Sequence, residues 1–153
     1  MKLHHGSEQR VLMDPHSEKE SEGRYSITLQ INYEDTDAGG VVYYGNYLAY
    51  MERARNAFLR DKGLPLTRVQ KEFDLIFVVS EATVKYLSPA RLDDDIQVTL
   101  EIEKMGAASI WFEHEVRRGA DSLVRATIKL ATVNSSSYRP FRIPDTLRRK
   151  LLR

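Results

Sequence analysis

The chain contains no cysteine, which removes disulfides, thiolate nucleophiles and sulfur-ligated zinc from consideration. It also lacks any apolar run long enough to span a membrane, and its first 23 residues have none of the apolar centre of a secretory signal. A soluble cytoplasmic protein without membrane insertion is therefore expected. Neither sign of charge dominates: 23 Lys and Arg against 22 Asp and Glu leave a formal net charge of +1, so nucleic acid is not expected as the main partner. The one basic run, Arg148 to Arg153, suits a helix C-terminus, where cations complement the helix dipole. Histidine is scarce, with four in the chain. His4 and His5 offer weak metal affinity at most, and His114 has no second histidine at ligand spacing, so no metal is expected.

With 153 residues the chain is long enough for one domain with a real core and too short for two sizeable ones. Residues 1–23 are polar and charged with no hydrophobic period, and read as a disordered or appended extension; Met13 is an alternative start. Residues 24–153 read as a single domain. From Arg24 to Glu34, Tyr25, Ile27, Leu29 and Ile31 alternate with polar neighbours, the period of a half-buried strand. After an acidic and glycine-rich turn, Tyr47, Met51, Ala54 and Phe58 recur at helical spacing. Leu48, Ala57 and Leu59 widen that stripe, with Glu52, Arg53, Arg55 and Arg60 opposite. Asn46 reads as the N-cap and Gly63 as the stop of a helix of about four turns.

Beyond Pro65 a short helical or irregular connection leads to Phe73. Strands follow over Leu75 to Leu87, around Ile96 to Ile102, over Ser109 to Arg117 and over Leu123 to Val133. Turn clusters separate them at Ser88 to Asp95, Lys104 to Ala108 and Arg118 to Asp121. A short basic helix closes the chain from Asp145 to Leu152. One strand, one long helix and four turn-linked strands predict an α+β fold, an antiparallel sheet wrapped around the helix. Such a sheet has free edges, which self-association can cover.

The stretch Tyr33 to Tyr47 is where chemistry is expected. Asp35-Thr36-Asp37 begins like a calcium loop, but Gly39 and Asn46 stand where ligands are required. Gly40 to Gly45 has P-loop glycine spacing, but Asn46-Tyr47 replaces the Lys-Ser/Thr that meets phosphate and magnesium. A third reading survives: an aspartate beside a helix N-terminus, whose unpaired N–H groups polarise a carbonyl oxygen. The aspartate would serve as general base toward water or as nucleophile.

Tyr33-x-Asp35-Thr36-Asp37, then Gly40-Val41-Val42-Tyr43, Asn46-Tyr47 and Glu52-Arg53-Ala54-Arg55, resemble the hotdog-fold thioesterases of the 4-hydroxybenzoyl-CoA type, nearest to the Tol-Pal-associated acyl-CoA subgroup. Phe77-Val78-Val79, Tyr86 to Asp94 and Ser109 extend the resemblance over roughly Tyr25 to Val133. It implies a sheet around a central helix, a homodimer or homotetramer, and active sites at the dimer interface. It also implies that Asp37 is the catalytic carboxylate and that the Tyr44 backbone N–H polarises the thioester carbonyl. Ser109, from the neighbouring subunit, would lie near the bound thioester and pantetheine arm. The substrate would be an acyl-CoA, with coenzyme A part of the substrate and no retained cofactor. The hairpin Met105 to Ala108 has only Lys104 as a nearby base, which keeps acyl carrier protein open as the alternative carrier. A non-catalytic module binding acyl groups or a protein is the remaining alternative.

Each candidate has a plainer role. Asp37 can cap a turn or the helix, and Asp35 reads as a turn or interface residue. Tyr33 either lines the acyl pocket or packs on the helix as a strand aromatic. The Tyr44 ring can simply pack, and Ser109 can be an ordinary strand serine. His114, between Glu113 and Glu115, reads as a surface or interface histidine. Glu52 and Arg55 read as an ion pair along the helix, and Arg91 with Asp93 to Asp95 as a solvated turn.

Overall fold

Alternating segments become strands in the computed structural model, which describes residues 24–153: β1 (Tyr25–Gln30), β2 (Leu75–Tyr86), β3 (Asp95–Met105), β4 (Ser109–Arg118) and β5 (Asp121–Asn134). The extension expected over residues 1–23 lies outside the described residues. The strands form one sheet in the order β1-β3-β4-β5-β2, with every neighbouring pair antiparallel. Ile110, Phe112, His114 and Val116 of β4 are buried, while the residues between them stay partly exposed. One face of the sheet therefore carries the core.

Among the described residues three α-helices accompany the sheet: α1 (Asn46–Asp61), α2 (Leu66–Phe73) and α3 (Asp145–Leu152). Tyr47, Tyr50, Met51, Ala54 and Ala57 of α1 are buried, and the rings of Phe58 and Phe112 meet edge to face at 6.3 Å between centroids. The helix ends in a Schellman motif: Leu64 N–H donates to the Leu59 carbonyl at 2.8 Å and Gly63 N–H to the Arg60 carbonyl at 3.0 Å. Gly63 takes φ +75° there, which makes glycine the fitting stop residue.

Three local expectations need correction. β1 ends at Gln30 rather than Glu34, because Asn32 N–H donates to the Asp35 carboxylate at 2.7 Å and closes a 3-10 turn over Tyr33–Asp35. The N-cap of α1 is Gly45; the Asn46 side chain instead donates to the Asp35 carbonyl at 2.8 Å. Leu48 is exposed and Arg55 buried, so the inward stripe of α1 includes one of the cations placed opposite it.

β2 is a sheet edge, bonded to β5 on one side. Val78 and Val79 are 42% and 51% exposed, unusual for valines in mid-strand and the kind of edge that invites another strand.

Candidate active site

The chain between β1 and α1 folds back on itself through its own backbone. Asp37 N–H donates to the Val41 carbonyl at 2.8 Å and Gly40 N–H to the Asp37 carbonyl at 3.0 Å. The Asp37 carboxylate takes the Gly39 N–H on Oδ1 at 2.8 Å, the side-chain-to-backbone bond of an Asx turn. Asp37 thus performs the turn role and remains exposed, with Oδ2 left to meet solvent or substrate.

Gly40 sits at φ +79° with open space where a Cβ would stand, so only backbone strain opposes a side chain. Gly40→Ala is expected to cost about 1–2 kcal/mol of stability. It is also expected to lower turnover, because the strain falls between Asp37 and the helix; urea unfolding and steady-state rates check the two effects.

The loop is anchored at both ends. Val42 N–H donates to the Ala90 carbonyl at 2.9 Å, and Ala90 N–H returns a bond to the buried Tyr47 hydroxyl at 3.0 Å. Burial, opposed by that bond, raises the Tyr47 phenol, which stays protonated. The Tyr86 hydroxyl donates to the Tyr44 carbonyl at 3.2 Å. Among the described residues the Tyr44 N–H meets no acceptor. One loop therefore holds an exposed carboxylate and an unpaired N–H beside the start of α1, the parts needed for attack on a carbonyl and for its oxyanion.

Asp35 is a turn residue, its carboxylate spent on Asn32. Tyr33 lies in the 3-10 turn and is 59% exposed, so it is not a strand aromatic packed on the helix. The Tyr44 ring, 63% exposed, lies 4.8 Å from the Tyr43 ring and 6.2 Å from that of Tyr86. The turn at Arg91 to Asp95 is more than a solvated loop: Asp94 accepts from Arg91 N–H at 2.8 Å and from Arg118 at 2.7 Å.

Ser109 stands elsewhere. It opens β4 opposite Ala131, which pairs with Val78 of β2, whereas the loop is bound to Tyr86 at the far end of that strand. From Val78 to Tyr86, at about 3.3 Å per residue, is roughly 26 Å. A single chain does not bring Ser109 to Asp37.

Sequence reasoning missed one polar pair. His114 is 4% exposed and Arg55 6% exposed, and Arg55 Nη1 lies 3.1 Å from His114 Nε2. His114 is thus neither a surface nor an interface residue, and Arg55 turns inward to it rather than running along the helix to Glu52. Nδ1 lies 3.1 Å from the Thr99 carbonyl, which only accepts, so Nδ1 carries the hydrogen and Nε2 accepts from Arg55. Burial first, then the Arg55 guanidinium, push the imidazole from its ordinary 6.5 down to about 3.

The unfolded chain therefore binds a proton that the folded chain refuses. This contribution to stability is complete above about pH 6.5 and is lost as pH falls toward about 3. Between about pH 7 and about pH 5, above the main carboxylate titrations, the urea midpoint of the wild type is expected to fall more steeply than that of His114→Gln.

A match to the thioesterase superfamily covers residues 39–125. The acyl-CoA thioesterase YbgC of Haemophilus influenzae is 36% identical over 124 residues, 81% of this chain and 91% of that protein. The acyl-CoA thioester hydrolase YbgC of Escherichia coli O157:H7 is 35% identical over 78% of this chain and 89% of its own. Among solved structures, a probable thioesterase from Bartonella henselae superposes with a TM-score of 0.75 at 30% identity, covering 79% of this chain and 99% of the other. The antiparallel sheet carrying its long helix on one face is the hotdog fold, and by the matched segment and these relatives the chain belongs to the thioesterase superfamily.

Proposed function

We propose that Asp37 is the working carboxylate of this acyl-CoA thioesterase, acting on a thioester whose carbonyl oxygen is held by the Tyr44 N–H. The enzyme cleaves an acyl-CoA to the free acid and coenzyme A, the activity carried by relatives that align over most of its length. The observation that carries the assignment is the loop itself: an exposed carboxylate with one oxygen fixed by Gly39 N–H and a helix-start N–H without an acceptor among the described residues. Water, giving a proton to Asp37, attacks the carbonyl carbon, or Asp37 attacks it to form an anhydride that water then hydrolyses. The C–S bond breaks, the thiolate of CoA leaves and takes up the proton, and the developing oxyanion is met by the N–H. Coenzyme A arrives with the substrate, so the reaction needs no retained cofactor. Among the described residues no cluster of three or more His, Cys, Asp or Glu could hold a metal. No described helix is long and apolar enough to cross a membrane.

The site is completed by a second copy of the chain. Antiparallel pairing of two β2 edges about their middle would lay the Val78 end of one against the Tyr86 end of the other. Ser109 of one subunit would then approach the partner subunit's Asp37 loop, and Val78 and Val79 would be covered. Tyr33, Tyr44 and Leu48, all exposed in one chain, would supply apolar surface to substrate and partner. Thiol release from a panel of aromatic, short and long acyl-CoAs tests the assignment, with the same acyl groups on acyl carrier protein beside them. Cleavage of at least one acyl-CoA is expected. Cleavage of the carrier-protein esters alone would move the substrate class, and no cleavage of either would leave a binding module.

A further inference from the structure

Between α1 and the core face of the sheet lies a cavity of about 160 Å³, walled by Phe77, Val79, Ile110, Phe112 and Leu130 and bounded by Leu151 of α3. A water needs about 10–15 Å³ of such space, so a short chain fits where one solvent molecule would be lost. Three polar residues share this lining, Glu52, Arg55 and Asn56, and of them Arg55 is the buried one. Arg55 opens onto the cavity although its side chain is almost wholly buried.

Among the described residues its hydrogen-bond partner is His114, and His114 is neutral, with Nδ1–H committed to the Thr99 carbonyl. None of the described ion pairs includes Arg55. Glu52, on the exposed side of the same cavity, stands one helical turn away. Burial draws the Arg55 pKa down to about 10, which still leaves it charged at neutral pH. A guanidinium presents five donors in a planar fork that matches a carboxylate two bonds at a time. Here one nitrogen is held by an imidazole, Glu52 attracts the charge from the exposed side without closing an ion pair, and the remainder of the fork faces the cavity. A buried charge with no ion-paired partner is costly, and a ligand carboxylate in contact with the fork would lower that cost.

We propose that this cavity is the acyl subsite and that Arg55 selects acyl groups bearing a carboxylate at the end remote from the thioester, the monothioesters of short dicarboxylic acids. The inference rests on the thioesterase reading above and serves the composite site. Val79 of the cavity wall lies on the exposed β2 edge near the middle of the strand, where pairing of two such edges would seat the partner subunit. The apolar walls take the methylenes, Arg55 takes the far carboxylate, and the carbonyl is left at the mouth. His114 is a positioning residue: as a neutral acceptor it fixes the guanidinium without neutralising it.

The test compares kcat/KM of the full chain for butanedioyl-CoA and butanoyl-CoA, which match in length and differ in the terminal carboxylate, each corrected for spontaneous hydrolysis. The wild type is expected to favour the carboxylate-ended ester by at least about tenfold, the scale of one charge-assisted bidentate contact. Arg55→Met is expected to bring the ratio of the two kcat/KM values to about one, and Arg55→Lys, which keeps the charge but loses the fork, to fall between. Equal wild-type rates on the two esters overturn the proposal and leave the thioesterase reading standing. An equal loss on both esters in Arg55→Met, with the thermal midpoint unchanged, does the same. If Arg55→Met does not fold, the wild-type ratio decides alone. A wild type that cleaves no thioester overturns the thioesterase reading first and this proposal with it.

Discussion

Replacing Thr83 and Lys85 by glutamate, beside the native Glu81, is expected to turn the proposed β2-paired assembly into monomers and to lower kcat/KM by at least about a hundredfold. All three positions are exposed on β2, and a two-fold axis through the middle of that strand would set them opposite the partner subunit's Ser80, Val78 and Ile76, so the carboxylates would be buried against uncharged side chains. Burying an unpaired carboxylate is costly, and charge on an edge is a common natural block to edge pairing. The fold should survive, since the β2–β5 ladder uses the other side of the strand. The catalytic loss comes from geometry rather than from the loop. With Asp37 and Ser109 at opposite ends of one sheet, a monomer keeps the carboxylate and loses the surface against which substrate is aligned. Sedimentation at matched concentration reads the assembly, and thiol release reads the activity. Full activity in a proven monomer would refute the composite site and leave Asp37 untouched.

The second large effect belongs to Asp37→Asn. The amide keeps the shape of the side chain, and its oxygen can still accept the Gly39 N–H now bound to Oδ1, so the Asx turn is preserved. It cannot take a proton from water at neutral pH and is a poor nucleophile, so either route fails at its first step. A positioned acid or base is worth about 10²–10⁴ in rate. The expectation is a kcat at least about a hundredfold lower, with the KM, the oligomer and the urea midpoint close to wild type. A change confined to KM would instead mark Asp37 as a binding residue.

How far the letters carried the structure can be judged residue by residue. Strict alternation, as in Ile96, Val98 and Leu100, fixed strands correctly, because one buried face forces a two-residue period. The glycine stop of α1 was equally plain, whereas its stripe took in the exposed Leu48 and left out the buried Arg55. The end of β1 was not, because Asn32 and Asp35 close a turn through a side-chain bond that apolar periodicity does not register. His114 was misjudged by its neighbours Glu113 and Glu115 when its parity with Ile110, Phe112 and Val116 placed it inside. That parity was in the sequence; the inward turn of Arg55 was not, since it depends on which strand faces the helix. The separation of Ser109 from Asp37 within one chain, which the resemblance implies by giving Ser109 to the neighbouring subunit, follows from the sheet order β1-β3-β4-β5-β2 and not from apolar periodicity. What the motif did supply was the junction of carboxylate, glycines and helix start, which the fold holds as one loop.

The most direct test is thiol release from a common set of acyl-CoAs by wild type and Asp37→Asn, prepared side by side and matched in assembly and unfolding midpoint. The account predicts turnover by the wild type and a loss of at least about a hundredfold in the variant on every ester cleaved. Near-normal release by Asp37→Asn would contradict it.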